Sequence, residues 1–205
     1  MIAFLHTSDI HIPEFEKLIR KYNNNIEIKH FVNSDLLTSA LQTGQTDTEC
    51  FISEVEKIKK LKPSLIICTC STYGAECDTN DAIHRIDRPI ASYLVSKYER
   101  IGLAFTAPST QLVSEKLLFE QAVEIDKKVI ITHIDCSYAW QFYESDDFEN
   151  YAKSIAGTIC KYQDKVDVVF LAQASMKGAL EYLKDFSKNV YSSPEYGVEH
   201  FLKQM

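Results

Sequence analysis

The residues of this chain that could do chemistry fall in four short polar turns, each following an apolar run. They are His6-Thr7-Ser8-Asp9, Cys70-Ser71-Thr72-Tyr73-Gly74, Thr106-Ala107-Pro108-Ser109-Thr110 and Gln173-Ala174-Ser175-Met176. Only the second holds a thiol. Hydroxyls and backbone amides at the start of a helix suit a small carboxylate, because unpaired N–H groups there carry partial positive charge. A thiol at such a turn is expected to have its pKa lowered by the same charge, which makes Cys70 a candidate proton carrier or nucleophile. The plainer role for these serines and threonines is helix capping. For a free cysteine the plainer role is that of a small buried hydrophobe.

Several chemistries are excluded at once. No GxxxxGK[ST] or GxGxxG run occurs, so no nucleotide is expected. Cys68, Cys70, Cys77 and His84 are close in sequence, but Cys68 lies inside an apolar run and no second Cys or His pair follows at zinc spacing. No metal is expected. The 29 acids outnumber the 22 bases and leave a formal charge of −7. Nucleic acid and anionic membrane both need a basic face, so neither is expected as a partner. The one basic cluster, Lys57, Lys59, Lys60 and Lys62, reads as the solvated end of a helix, where cations suit the dipole.

The turns need elements to hold them. Strands are expected at Ile2–His6, Ile26–Val32, Ser64–Thr69, Ile101–Phe105, Val129–Ile134, Val166–Leu171 and Val190–Ser192. Runs such as Leu65-Ile66-Ile67 and Val168-Val169-Phe170 are apolar throughout, which fits strands of a parallel sheet buried on both faces. Helices are expected at Pro13–Lys21, Glu49–Lys60, Asp87–Arg100, Ser109–Ile125, Asp147–Tyr162, Met176–Phe186 and Glu195–Lys203. Strand–helix alternation predicts an α/β fold with right-handed crossovers. In open α/β sheets ligands bind beyond the carboxyl ends of the strands, where all four polar turns would lie.

The order suggests a repeat. Ile2–Cys70 reads strand, helix, strand, helices, strand, polar turn, and Ile101–Ser175 reads strand, helix, strand, helix, strand, polar turn. The boundary is expected near Arg100. A chain of 205 residues buries enough surface to need no disulfide or metal. Its six cysteines form no secreted framework, no signal peptide is evident, and no apolar run is long enough to span a membrane. A reducing cytoplasm is the expected location.

Leu65-Ile66-Ile67-Cys68-Thr69-Cys70-Ser71-Thr72 resembles the strand and Cys-Asn/Ser-Thr turn that carries the first catalytic cysteine in the aspartate/glutamate racemase superfamily. Val168-Val169-Phe170-Leu171-Ala172-Gln173-Ala174-Ser175-Met176 occupies the place of the second cysteine motif, typically Gly-Cys-Thr. Phe4-Leu5-His6-Thr7-Ser8 and Val190-Tyr191-Ser192-Ser193-Pro194 are also similar to this group, so the resemblance runs in order along the whole chain. It implies two flavodoxin-like parallel-sheet lobes related by a pseudo-twofold, with the site in the cleft between them. Residues 1–100 would form the first lobe and 101–193 the second, with a last helix at about 194–205 packing back on the first. No pyridoxal phosphate or other cofactor is implied. Racemases of the group place a thiol on each face of the substrate α-carbon, one removing a proton and the other delivering one. Relatives such as hydantoin racemase, arylmalonate decarboxylase and maleate isomerase mark the range of chemistry.

Gln173 stands where that resemblance places the second thiol, and an amide cannot act as a base near neutral pH. The chain therefore reads as a divergent single-cysteine branch. Cys70 would be acid/base or nucleophile in an isomerase or lyase acting next to a carboxylate. The alternative is a degenerate relative that only binds a small acid. Ser71 and Thr72 would donate to the carboxylate, with Thr106, Ser109 and Thr110 as the matching turn of the second half. His6, Thr7 and Ser8 form the first-strand turn, where His6 reads either as a proton shuttle or as a core histidine. Gln173 and Ser175 would hydrogen-bond substrate. Trp140, Phe142 and Tyr143 read as packing. The expected partner is a small-molecule carboxylate, and homo-oligomerisation stays open.

Overall fold

A computed structural model describes residues 1–205. The chain divides into two compact units, Met1–Asp87 with Pro194–Met205, and Arg88–Ser193.

In the first unit the elements run β1 (Ile2–His6), α1 (Ile12–Tyr22), β2 (Ile28–Val32), α2 (Ser34–Thr43), α3 (Thr48–Lys59), β3 (Leu65–Cys68), α4 (Gly74–Asp78) and β4 (His84–Arg85). The sheet order is β2-β1-β3-β4, and every pairing is parallel. The two-residue period of a strand sends alternate side chains of β1 to opposite faces. Ile2 and Phe4 pack with Phe15, Leu18 and Ile19 of α1. Ala3 and Leu5 pack with Leu36 of α2 and with Phe51, Val55 and Ile58 of α3. Burying a side chain such as Phe4 or Leu5 contributes about 1.5–3 kcal/mol, so the apolar run is what fixes β1 at the centre of the sheet. Local caps punctuate the helices. The Asn33 side chain accepts from Asp35 N, Gly44 closes α2 in the left-handed conformation at φ 71°, and the Asp47 side chain accepts from Cys50 N. Lys57 and Lys59 sit in the last turn of α3, as the dipole favours.

The second unit runs α5 (Arg88–Lys97), β5 (Arg100–Phe105), α6 (Pro108–Glu124), β6 (Ile130–Asp135), α7 (Trp140–Glu144), α8 (Phe148–Cys160), β7 (Val168–Leu171) and β8 (Asn189–Ser192). The order β6-β5-β7-β8, again all parallel, reproduces that of the first unit. Repeated topology is thus real where repeated identity is slight. Ala104, Ile134, Val169 and Leu171 pack on Tyr151, Ile155 and Ile159 of α8, while Trp140, Phe142 and Tyr143 pack against the same cluster. On the other side α6 packs on β5 and α5 packs along α6.

After β8 the chain returns to the first unit as α9 (Ser193–Lys203), whose Val198 and Phe201 join Ile2, Phe4 and Phe15. Three local expectations change. The division falls at Asp87 and not near Arg100, because α5 packs with α6. Ala174–Tyr182 is a run of 3-10 turns and not an α-helix over Met176–Phe186, and Gly178 within it is a weak α-former. β4 is too short, at two residues, to leave a periodic signal.

Candidate active-site turns

In the first unit, β1 and β3 are adjacent and parallel, so their carboxyl ends bring the turns Thr7-Ser8 and Cys70-Ser71-Thr72 side by side. Thr7, Ser71 and Thr72 are buried and Ser8 is half-buried. Cys70 is half-buried, and the chain then enters a 3-10 turn over Ser71–Tyr73 that no side chain caps. The Thr7 side chain, the Thr72 backbone N–H and the Thr72 side chain all hydrogen-bond the Cys70 sulfur.

Those three donors favour the thiolate, yet they do not win. Burial and the neighbouring Cys68 push the Cys70 thiol up to about 11. The expected lowering is overturned because desolvation of a charged sulfur outweighs a few oriented donors. The five-residue α4, reached only after a 3-10 turn, adds little dipole. Cys68 and Cys77 hydrogen-bond each other, and Cys68 also donates to the Cys70 carbonyl at 3.6 Å.

The turn rests on a buried ion group that the sequence reading did not include. The Arg85 guanidinium donates to Asp87 at 2.7 and 2.9 Å and to Asp78 at 2.7 Å. Burial alone would lower the Arg85 pKa, but the two carboxylates outweigh it and hold the charge in place. The guanidinium lies close against Gly74. A Cβ there would sit 2.3 Å from the Arg85 Cζ atom, so this position needs glycine. Asp87 is fully buried and holds Arg85 with both oxygens. Farther along α4, Glu76 accepts from the Thr46 and Thr48 hydroxyls, and its other oxygen is buried with no hydrogen-bond partner.

His6 sits as a core histidine and not as a proton shuttle. It is fully buried, with Nδ1 against Thr69 Oγ1 at 2.8 Å and Nε2 against His30 Nδ1 at 2.8 Å. Both ring nitrogens are engaged by protein groups, so neither is left for substrate.

In the second unit, the turn after β5 and the turn after β7 are tied together. Gln173 Oε1 accepts from Thr106 N at 2.7 Å and from Thr106 Oγ1 at 3.0 Å. The Tyr151 hydroxyl lies 3.3 Å from Thr106 Oγ1 and 3.0 Å from Ser175 Oγ. Burial pushes Tyr151 up to about 12, which keeps it a neutral hydroxyl. The Gln173 carbonyl is thus committed to the turn, and only its two N–H donors remain for a ligand. Ser109 does not cap α6, since the N-cap is Ala107 and its side chain makes no cap bond. The Ser109 hydroxyl is buried without a partner, and Thr110 is buried beside it. Tyr151 had no sequence signal beyond its place in the apolar face of α8.

No family model matches the chain, and no curated protein matches it. Solved structures do. An aspartate racemase from Picrophilus torridus superposes with a TM-score of 0.74 at 13% identity, covering 99% of this chain and 93% of that one. A glutamate racemase from Bacillus anthracis gives 0.72 at 14%, covering 100% and 80%. An allantoin racemase from Klebsiella pneumoniae gives 0.63 at 11%, covering 98% and 86%. The chain therefore has the α/β fold of the aspartate, glutamate and allantoin racemases, with two four-stranded parallel sheets.

Proposed function

We propose that this protein is a cofactor-independent isomerase or lyase that acts at the carbon next to a carboxylate of a small acid. Its working group is the Cys70 thiol. The observation that carries this reading is the Cys70 turn itself. A half-buried thiol stands at the carboxyl end of a central strand, hydrogen-bonded by Thr7 and Thr72 and backed by the Arg85–Asp87–Asp78 group. The fold shared with aspartate and glutamate racemases supports the substrate class.

The protonation state favours one role for the thiol. With a pKa of about 11, only about one Cys70 in ten thousand is thiolate at neutral pH. Cys70 is therefore set to deliver a proton to a carbanion, and removing one would first require a bound substrate to lower its pKa. Donors at Ser71 would stabilise the enolate formed before protonation, while Thr72 holds the sulfur. Gln173 offers an amide and no second proton carrier, which supports chemistry on one face of the α-carbon.

The test is turnover of small α-substituted acids and malonates by the wild type and by Cys70→Ser. Loss of all turnover in the variant supports the reading. Equal turnover in both overturns it, and thermal stabilisation by such acids without turnover would show binding alone.

A further inference from the structure

The His6–His30 pair has no part in the chemistry above, yet it is bonded directly to the residue before Cys70. Three groups stand in line beside β1. Thr69 Oγ1 is 2.8 Å from His6 Nδ1, and His6 Nε2 is 2.8 Å from His30 Nδ1. His30 Nε2 is buried, has no hydrogen-bond partner, and lies 3.9 Å from the Glu16 carboxylate. Phe4 and Phe15 pack on the rings, with centroids 5.1 Å apart between the two imidazoles and 5.4 Å between Phe4 and His30.

Two neutral histidines in series allow two senses of donation. In one, the Thr69 hydroxyl donates to His6 Nδ1, His6 Nε2–H donates to His30 Nδ1, and His30 carries its second proton on Nε2, facing Glu16. In the other every donor is reversed. Thr69 must then donate to the Leu5 carbonyl at 3.3 Å, which already accepts the Thr69 N–H at 3.0 Å. His30 would also turn a buried lone pair toward a carboxylate. Both senses keep the two short links, and only the first aims an N–H at the Glu16 carboxylate, so it is the favoured one.

We propose that His6 is a positioning residue for Cys70, locked in its Nε2–H tautomer by His30 and Glu16 so that its bond to Thr69 ties the ends of β1 and β3 together. That tie keeps Thr7, the neighbour of His6, against the Cys70 sulfur. The inference rests on the reading of Cys70 as the working thiol. The charged and titratable groups around the pair are Glu16 on α1, His11 in the turn before α1, and the two histidines on β1 and β2. Burial, then His30, then His11 push His6 down to about 3, and burial lowers His30 against the opposing pull of Glu16, so both rings are neutral near pH 7.

The experiment has two arms, neither needing a substrate. Nitrogen-15 NMR of histidine-labelled protein near neutral pH should show both rings as Nε2–H tautomers. Glu16→Gln, at a side chain 55% exposed, should let the Nδ1–H form of His6 appear. In the second arm, iodoacetamide labelling of Cys70 is followed by peptide mass spectrometry. His6→Leu keeps apolar bulk but loses the bond to Thr69, and should slow labelling about fivefold, the scale of one hydrogen bond. His6→Asn retains an acceptor for Thr69 and should label within about twofold of wild type. An Nδ1–H His6 in the wild type, or wild-type labelling in a folded His6→Leu, overturns the proposal. Should His6→Leu fail to fold, the tautomer and Glu16→Gln results still decide it. Failure of the proposed chemistry would appear separately, as turnover surviving Cys70→Ser.

Discussion

Acid should destabilise this protein through His6 over a defined window. His6 has no exposed surface, and its pKa is pushed from 6.5 to about 3. A histidine that is neutral when folded and free to protonate when unfolded stabilises the fold fully above pH 6.5. That stability is lost as pH falls, because the unfolded state then binds the extra proton. Each pKa unit is worth about 1.4 kcal/mol, so the full loss is about 5 kcal/mol below pH 3, and about 3 kcal/mol is gone by about pH 4.5. Domains are stable by roughly 5–15 kcal/mol, so this one side chain is a sizeable share. His6→Asn does not titrate and can keep the bond to Thr69. Urea unfolding of both proteins from about pH 7 to about pH 4 should show the wild type losing stability faster, by a slope approaching 1.4 kcal/mol per pH unit. Parallel curves would mean that His6 is not held neutral by burial, and would refute the reasoning.

Other expectations follow from the same geometry. The alkylation rate of Cys70 should keep rising past about pH 9, where an ordinary thiol levels off, since its pKa is about 11. A plateau near about pH 8.5 would show that burial does not dominate there. Gly74→Ala should cost about 1–3 kcal/mol, because the new Cβ meets a guanidinium held by two carboxylates and cannot push it aside cheaply. Denaturant midpoints would check this, and an unchanged midpoint would mean that Arg85 moves freely. Gln173→Ala should cost about 1–3 kcal/mol by leaving Thr106 N–H and hydroxyl without their acceptor, while Gln173→Glu keeps that acceptor and should melt close to wild type. Equal melting of the two variants would argue against the tie.

Much of this was legible in the chain. The seven longer strands appear where apolar runs predicted them, and the signal is strongest for β1, β3, β5 and β7, which are inner strands of the two sheets and almost wholly buried. The turns that follow are legible for the complementary reason, that polar residues stand where a central strand ends. What the sequence could not announce is pairing across distance. Arg85 looks like any surface arginine until β4 places it beside Cys68 and the fold supplies Asp78 and Asp87. Tyr151 looks like one more apolar residue of α8 until its hydroxyl meets Thr106 and Ser175. His6 can be read as shuttle or core residue, and only the positions of Thr69 and His30 decide. The Cys70 pKa lies above the sequence expectation for a related reason. Sequence shows the donors of a turn but not how much water the fold removes.

The central claim is that one thiol, Cys70, handles the proton, and deuterium tests it most directly. The protein is incubated in D2O with each acid that it turns over, and the α-carbon of the product is analysed by NMR on a chiral derivative. A single proton-handling thiol predicts label on one face only, giving one enantiomer, and no label with Cys70→Ser. Equal labelling of both enantiomers, or labelling that survives Cys70→Ser, would contradict it.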